Sequence, residues 1–229
     1  MQFSRTAFAV ATCCLACLTP AAVSAAAFEG QIDMAMTEGR QTFNVSYQTK
    51  AGHMRIAMPV PGMGETAALV DFEAGKIMTL IPPMKAYMEI PFDVTMDEAT
   101  DRAASAGELK NTGETTEILG YTCTKYIYEE DQGPVEIWAT DQLGQFMAMP
   151  KGNPMQGGGA VKTGWESAIK GNFFPMRLVA LTKRGKERMR WEVTAVKPMS
   201  IPDSAFAPPA GYKPFDMGAM MQGLGGFGG

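Results

Sequence analysis

Apolar and polar residues alternate along most of this chain with a period of two, which is typical of strands with one buried side. The pattern is clearest where Phe43, Val45 and Tyr47 share one face and polar residues fill the positions between them. Pro82 and Pro83 do not fit a central strand and therefore indicate a turn. On these grounds we predict strands over residues 28–36, 42–49, 54–58, 67–72, 76–81, 85–90, 112–119, 121–129, 135–140, 175–183 and 187–196.

Two segments interrupt the alternation. Residues 94–105 are rich in alanine and begin with acidic residues, which predicts a short surface helix. Residues 143–171 contain two prolines and three consecutive glycines, which predicts a long mobile loop of a kind that is often functional. The pattern as a whole predicts an α+β domain. Its curved, mostly antiparallel sheet, a half-barrel of about ten strands, has one or two short helices on the concave side.

The two ends of the chain differ from the domain between them. Residues 1–26 combine Arg5, an apolar run and a small-residue cleavage pattern, which predicts a secretory signal peptide that is removed. The run is too short to span a bilayer, so the mature chain has no predicted transmembrane segment. A lipoprotein attachment site at one of the three early cysteines, Cys13, Cys14 or Cys17, is the less favoured alternative. We expect a periplasmic protein with one domain over residues 27–213 and a disordered Gly/Met-rich tail over residues 214–229.

Charge and chemical motifs exclude several functions. The net charge is −4, and no basic cluster exceeds the short Lys183–Lys186 turn, so neither nucleic acid nor an anionic membrane surface is indicated. After maturation Cys123 is the only cysteine, which we interpret as a small buried apolar residue rather than a reactive thiol. With His53 as the single histidine and no zinc, phosphate-loop or nucleophile motif, the sequence predicts no enzyme, metal site or cofactor. The acidic run 129–131 is predicted to be a solvated turn.

Several short segments together resemble one family. They are Phe28-Glu29-Gly30, Ile81–Met88, Thr112-Gly113-Glu114, Ile118–Cys123, Val135–Thr140, and Phe206 with Pro209–Lys213. They are similar to the exported bacterial family catalogued as domain of unknown function 4412, over roughly residues 28–213. The family implies no activity. Its strand pattern also resembles the half-barrel of periplasmic lipoprotein carriers, which implies a fold but not a function.

Methionine is the unusual component of the composition, with 19 residues. It is a pliable apolar filler, which suits either a plain core or a pocket for varied hydrophobic molecules. The leading hypothesis is a non-enzymatic binding protein that holds a lipid, an acyl chain or another hydrophobic ligand on the concave face. Residues 143–171 would then be a lid or a partner contact. The predicted ligand-binding residues are Met54, Ile56, Met58, Met78, Leu80, Met88 and Trp165, of which Trp165 would cover the cavity mouth.

Two alternative functions stay open. Thioether sulfur selects Cu(I), so the second hypothesis is a copper-binding protein. The third is an envelope structural or interaction protein that offers a strand edge to a partner. The copper hypothesis uses methionines of the long loop and the tail, namely Met147, Met149, Met155, Met217, Met220 and Met221.

Overall fold

The computed structural model of the protein describes residues 28–92, 108–148, 164–168 and 171–215. In these residues 12 strands form one open sheet in the order β12-β6-β5-β4-β3-β2-β1-β11-β10-β9-β8-β7. The strands are β1 (Gly30–Glu38), β2 (Gln41–Lys50), β3 (His53–Val60), β4 (Gly64–Asp71), β5 (Lys76–Ile81), β6 (Ala86–Pro91), β7 (Leu109–Ile118), β8 (Tyr121–Tyr128), β9 (Val135–Thr140), β10 (Phe174–Leu181), β11 (Glu187–Pro198) and β12 (Lys213–Pro214).

The predicted curved antiparallel sheet is confirmed, with two corrections of detail. There are 12 strands instead of about ten, and the short β12 pairs with β6 in parallel. The helical structure among the described residues consists of 3-10 turns at Pro82–Met84, Trp165–Ala168 and Asp203–Phe206. The predicted helix over residues 94–105, the predicted signal peptide and residues 216–229 of the predicted tail lie outside the described residues.

The main core lies on the inner, concave side of the sheet. Its centre is a group of packed aromatic rings, in which Phe146 is 5.8 Å from Tyr47, 5.5 Å from Phe174, 5.9 Å from Trp165 and 5.3 Å from Trp191, measured between ring centroids. Strands β1, β2 and β8–β11 contribute most of the other side chains in this core. Aromatic side chains bury large apolar areas, so this half of the sheet is filled by protein.

A second, smaller core lies on the outer side of the other half of the sheet. This outer cluster consists of Ala57, Ala67, Leu69, Met78 and Leu80, with Tyr87 and Tyr212 packed against it. Strands β4 and β5 therefore have apolar contacts on both faces, which explains why their sequences are almost continuously apolar.

Residues 199–215, here called the C-terminal strap, run from the end of β11 to the β6 edge. Lys50 Nζ holds the strap by donating to the Ile201 carbonyl at 3.0 Å and to Asp203 at 2.9 Å. At the far end, the Phe215 amide donates to the Tyr87 carbonyl at 2.7 Å. The strap thus contributes the last strand of the sheet, β12 (Lys213–Pro214).

Candidate functional site

The candidate site is the inner surface of strands β3–β6, here called the arm face. Residues that lie directly opposite in neighbouring strands point to the same side of a sheet. The register joins Tyr47 to Ile56, Ile56 to Ala68, Ala68 to Thr79 and Thr79 to Met88. Because Tyr47 belongs to the main core, this whole row faces inward. The row therefore extends the concave apolar surface from the centre of the sheet towards its β6 edge.

The arm face is less completely covered than the main core. Met54 is fully buried next to Val70, whereas other large apolar side chains of the same surface retain partial exposure. These half-buried side chains are Ile56, Met58, Ile81, Met88 and Ile90. These partly exposed apolar side chains lie on either side of the buried Ala68 and Thr79, and they can hold an apolar ligand through the burial of surface.

Four of the seven predicted ligand-binding residues lie on this surface. The register brings Met54, Ile56, Met58 and Met88 to the inner side of β3 and β6. Met78 and Leu80 lie on the opposite side, in the outer cluster, so the structure separates them from the other four. In the sequence of β5, apolar residues follow one another without alternation, and for that reason its two faces cannot be told apart from the pattern.

Trp165 has a different position from the one predicted. It is fully buried in the main core, 5.9 Å from the ring centroids of both Phe146 and Trp191, and so does not cover a cavity mouth. Leu143 and Phe146, at the start of the predicted mobile loop, are buried as well. Both ends of that loop are therefore parts of the core, and residues 149–163 lie outside the described part of the chain.

A nearly buried ion pair fixes the chain just before Trp165. Arg188 Nη2 donates to Glu130 Oε2 at 2.7 Å, and the Gly164 amide donates to Glu130 Oε1 at 2.9 Å. We call this group of three residues the clasp. The prediction that residues 129–131 form only a solvated turn is wrong for Glu130. Its partner Arg188 lies on the polar side of an alternating strand, which gave no sign of a buried charge.

The chemistry of the arm face is almost entirely apolar. Thr66 contributes a buried hydroxyl to this surface, and its Oγ1 has no hydrogen-bond partner among the residues that the structure describes. Tyr47, where the arm face meets the main core, accepts a hydrogen bond from the Met147 amide at 3.4 Å. Desolvation raises the pKa of the Tyr47 phenol, so the ring stays neutral.

The remaining reactive side chains lie away from this surface. Cys123 is fully buried on β8, and desolvation raises the pKa of its thiol, as its interpretation as a small apolar residue predicts. His53 Nε2 lies 3.6 Å from Asp71 Oδ2 on the other half of the sheet. Within the described residues no cluster of three or more His, Cys, Asp or Glu side chains is arranged to hold a metal ion.

The copper hypothesis depends mainly on residues that the structure does not describe. Met147 packs against the main core, and Met149, Met155 and the tail methionines lie outside the described residues. As for the membrane, none of the described helices has the length and apolar character needed to cross a bilayer.

A polar cleft of about 210 Å³ lies in the other half of the sheet, at β8 and β9. Thr122, Thr124, Asp141 and Asn172 contribute most of its polar groups, and Tyr126 and Phe173 contribute aromatic rings. Its volume is below the range of about 300–1,000 Å³ that is usual for ligand pockets.

Comparison with known families agrees with the resemblance seen in the sequence. The model of the family described as "Domain of unknown function (DUF4412)" matches residues 28–212, and the chain belongs to this family. No curated protein matches the chain.

Several solved structures are similar to this chain at low sequence identity. An uncharacterized conserved protein from Thermus thermophilus has a TM-score of 0.52 and 11% identity, with 82% of this chain and 90% of that chain covered. MucB, in the MucA/MucB complex of Pseudomonas aeruginosa, has a TM-score of 0.46 and 11% identity, over 80% and 56% of the two chains. The Mycobacterium tuberculosis lipoprotein LppX has a TM-score of 0.35 and 9% identity, over 76% and 89%. The Thermus protein shows a shared fold and carries no activity over to this chain.

Proposed function

We propose that the protein is a non-enzymatic binding protein of the periplasm whose arm face holds a lipid, an acyl chain or another hydrophobic molecule. The observation that carries this proposal is the inner side of β3–β6, where half-buried apolar side chains of β3 and β6 lie on either side of the buried Ala68 and Thr79. The signal-peptide pattern of residues 1–26 supports the location.

Burial of apolar surface is sufficient to drive such binding. Each Å² of apolar area removed from water contributes about 25 cal/mol, before the cost of ordering the ligand. Methionine adapts its shape to its neighbours, so Met58 and Met88 suit a ligand whose shape varies, as the shape of an acyl chain does.

The separation of the two reactive side chains supports a role without catalysis. A nucleophilic cysteine needs a base within hydrogen-bond reach. His53 is on β3 and Cys123 is on β8, with five strands of the sheet between them. These two side chains therefore cannot act as a catalytic pair.

Fluorescence of N-phenyl-1-naphthylamine, an apolar probe that becomes bright in apolar surroundings, tests the proposal. We expect residues 27–229 to bind it, and the Met58→Gln/Met88→Gln variant to bind at least tenfold more weakly because each change makes the surface polar. Met199→Gln, an exposed methionine outside the arm face, is the matched control and is expected to bind like the wild type.

Native mass spectrometry of the periplasmic protein identifies the natural ligand. We expect an added mass in the lipid range that is lost from the double variant. If the probe does not bind, or if the double variant binds it as the wild type does, the arm face is not a binding site.

A further inference from the structure

The most exposed large apolar side chains of the described residues lie at two opposite ends of the sheet. Met63, 40% exposed, and Met84, 58% exposed, lie in the β3–β4 and β5–β6 turns. These turns share one end of the sheet, because β3 and β5 run in the same direction. Leu119, 51% exposed, and Met199, 49% exposed, follow β7 and β11, which end on the opposite side.

Met63 and Met84 are held on neighbouring, well-defined turns. The Met63 amide donates to the Val60 carbonyl at 3.0 Å, and the Lys85 amide donates to the Pro82 carbonyl at 3.1 Å. The Pro82–Met84 turn contacts β4, whose first residue directly follows Met63. Two exposed methionines thus lie on neighbouring turns at this end. The apolar residues at the opposite end, Leu119 and Met199, follow β7 and β11, which are separated by three other strands.

Positive charge accompanies this pair of methionines. Lys85 and Lys213 are exposed and adjacent, since the Lys213 amide donates to the Lys85 carbonyl at 3.0 Å. Glu65, the acidic residue nearest to Met63 in sequence, is paired with Arg55 at 3.1 Å. We call Met63, Met84, Lys85 and Lys213 the methionine rim. It is a locally cationic, apolar surface on a protein whose net charge is −4.

We propose that the methionine rim docks the protein on the surface of an anionic lipid bilayer. Surfaces that bind membranes combine apolar side chains, which enter the headgroup region, with lysines that attract anionic lipids. Here Met63 and Met84 insert while Lys85 and Lys213 pair with lipid phosphates. The arm face reaches the same end of the sheet through Met58 and Ile81, so docking brings it to the membrane. This proposal goes beyond ligand binding and does not depend on it.

Sedimentation with lipid vesicles tests the docking. We expect residues 27–229 to bind vesicles that contain phosphatidylglycerol, and to bind pure phosphatidylcholine vesicles more weakly. Met63→Ser/Met84→Ser is expected to lower the partition coefficient about tenfold on both vesicle types, since it removes apolar surface. Lys85→Asn and Lys213→Gln are each expected to lower it about fivefold, only on the anionic vesicles. Asn suits the left-handed backbone of Lys85, whose φ is 46°.

The matched control is Leu119→Asn/Met199→Ser, which removes a similar exposed apolar area at the opposite end of the sheet. We expect it to leave vesicle binding unchanged, and thermal unfolding to show that all variants are folded. The proposal is overturned if the wild type sediments with neither vesicle type, the result expected if the rim binds a protein partner. The proposal is also overturned if Leu119→Asn/Met199→Ser lowers vesicle binding as much as Met63→Ser/Met84→Ser does.

Discussion

Replacing Glu130 by alanine measures how much the clasp contributes to stability. Only 12% of the Glu130 side chain and 13% of the Arg188 side chain are exposed, and their charged atoms are 2.7 Å apart. The substitution removes the carboxylate that pairs with Arg188, and it also removes the Glu130 acceptor of the Gly164 amide. The guanidinium keeps one contact, from Nη1 to Gln132 at 3.3 Å.

The expected loss follows from leaving one charge without its partner. Two unit charges about 4 Å apart attract by about 4 kcal/mol at an effective dielectric constant near 20. Desolvation offsets much of this attraction, but removing one member of a buried pair costs about 3–5 kcal/mol. Arg188 keeps its hydrogen bond to Gln132 and is slightly exposed. We therefore expect Glu130→Ala to lower the free energy of unfolding by about 3 kcal/mol, the lower end of this range. For a domain of this size, that lowers the Tm by about 6–12 °C.

Urea and thermal unfolding, followed by circular dichroism, give the free energy of unfolding. Glu187→Ala is the matched control, since Glu187 pairs with Arg190 on the same strand but the two side chains are 40% and 37% exposed. That exposed pair is expected to contribute less than about 1 kcal/mol. Adding Arg188→Met to Glu130→Ala removes the uncompensated charge and is expected to recover most of the loss. The clasp does not act as a buried ion pair if Glu130→Ala lowers the free energy of unfolding no more than Glu187→Ala does. The same conclusion follows if adding Arg188→Met does not raise the free energy of unfolding again.

Two further predictions concern the outer side of the sheet. Leu80→Ala is expected to destabilise the outer cluster by about 2–4 kcal/mol without changing the affinity for N-phenyl-1-naphthylamine, and weaker probe binding would contradict the separation of the two faces. The hydrogen bond from Lys50 lowers the pKa of Asp203, so the contact is formed above the unfolded-state pKa of about 3.9 and is lost as the pH falls through the lower folded-state value. Hydrogen exchange should therefore show that the Lys213 and Phe215 amides lose protection in acid. Asp203→Asn should lower their protection at pH 7 and remove the acid dependence, and unchanged protection would refute the role of this contact.

The sequence was informative wherever a strand has one covered side. In β2 the alternation of Val45 and Tyr47 with polar residues predicted both the strand and its inward face correctly. In β5 the same method predicted the strand but not the faces, because Ile77 and Thr79 are buried on one side and Met78 and Leu80 on the other. Met78 and Leu80 were for this reason grouped with residues of the opposite face.

Features formed by distant segments could not be predicted from local pattern. The two-residue β12 shows no alternation, and its pairing with β6 depends on where the C-terminal strap crosses the sheet. Glu130 was expected in a solvated turn because its buried partner, Arg188, is far away in sequence. The methionine rim was missed for a related reason. A search for runs of basic residues cannot see Lys85 and Lys213, which only the fold brings together.

The pairing of β1 with β11 determines the order in which the sheet can assemble. The two strands meet in its middle, whereas β6 and β7, from the interior of the chain, lie at or next to its edges. During synthesis or export from the N-terminus, β1–β6 can form as successive hairpins. The inner edge of β1 stays unpaired until residues 187–198, which form β11, have been added. Closing such a long loop is slow, and folding dominated by distant pairings takes about milliseconds to seconds. A chain that stops before β11 therefore leaves the sheet divided at its centre, with the inner faces of both halves exposed to solvent.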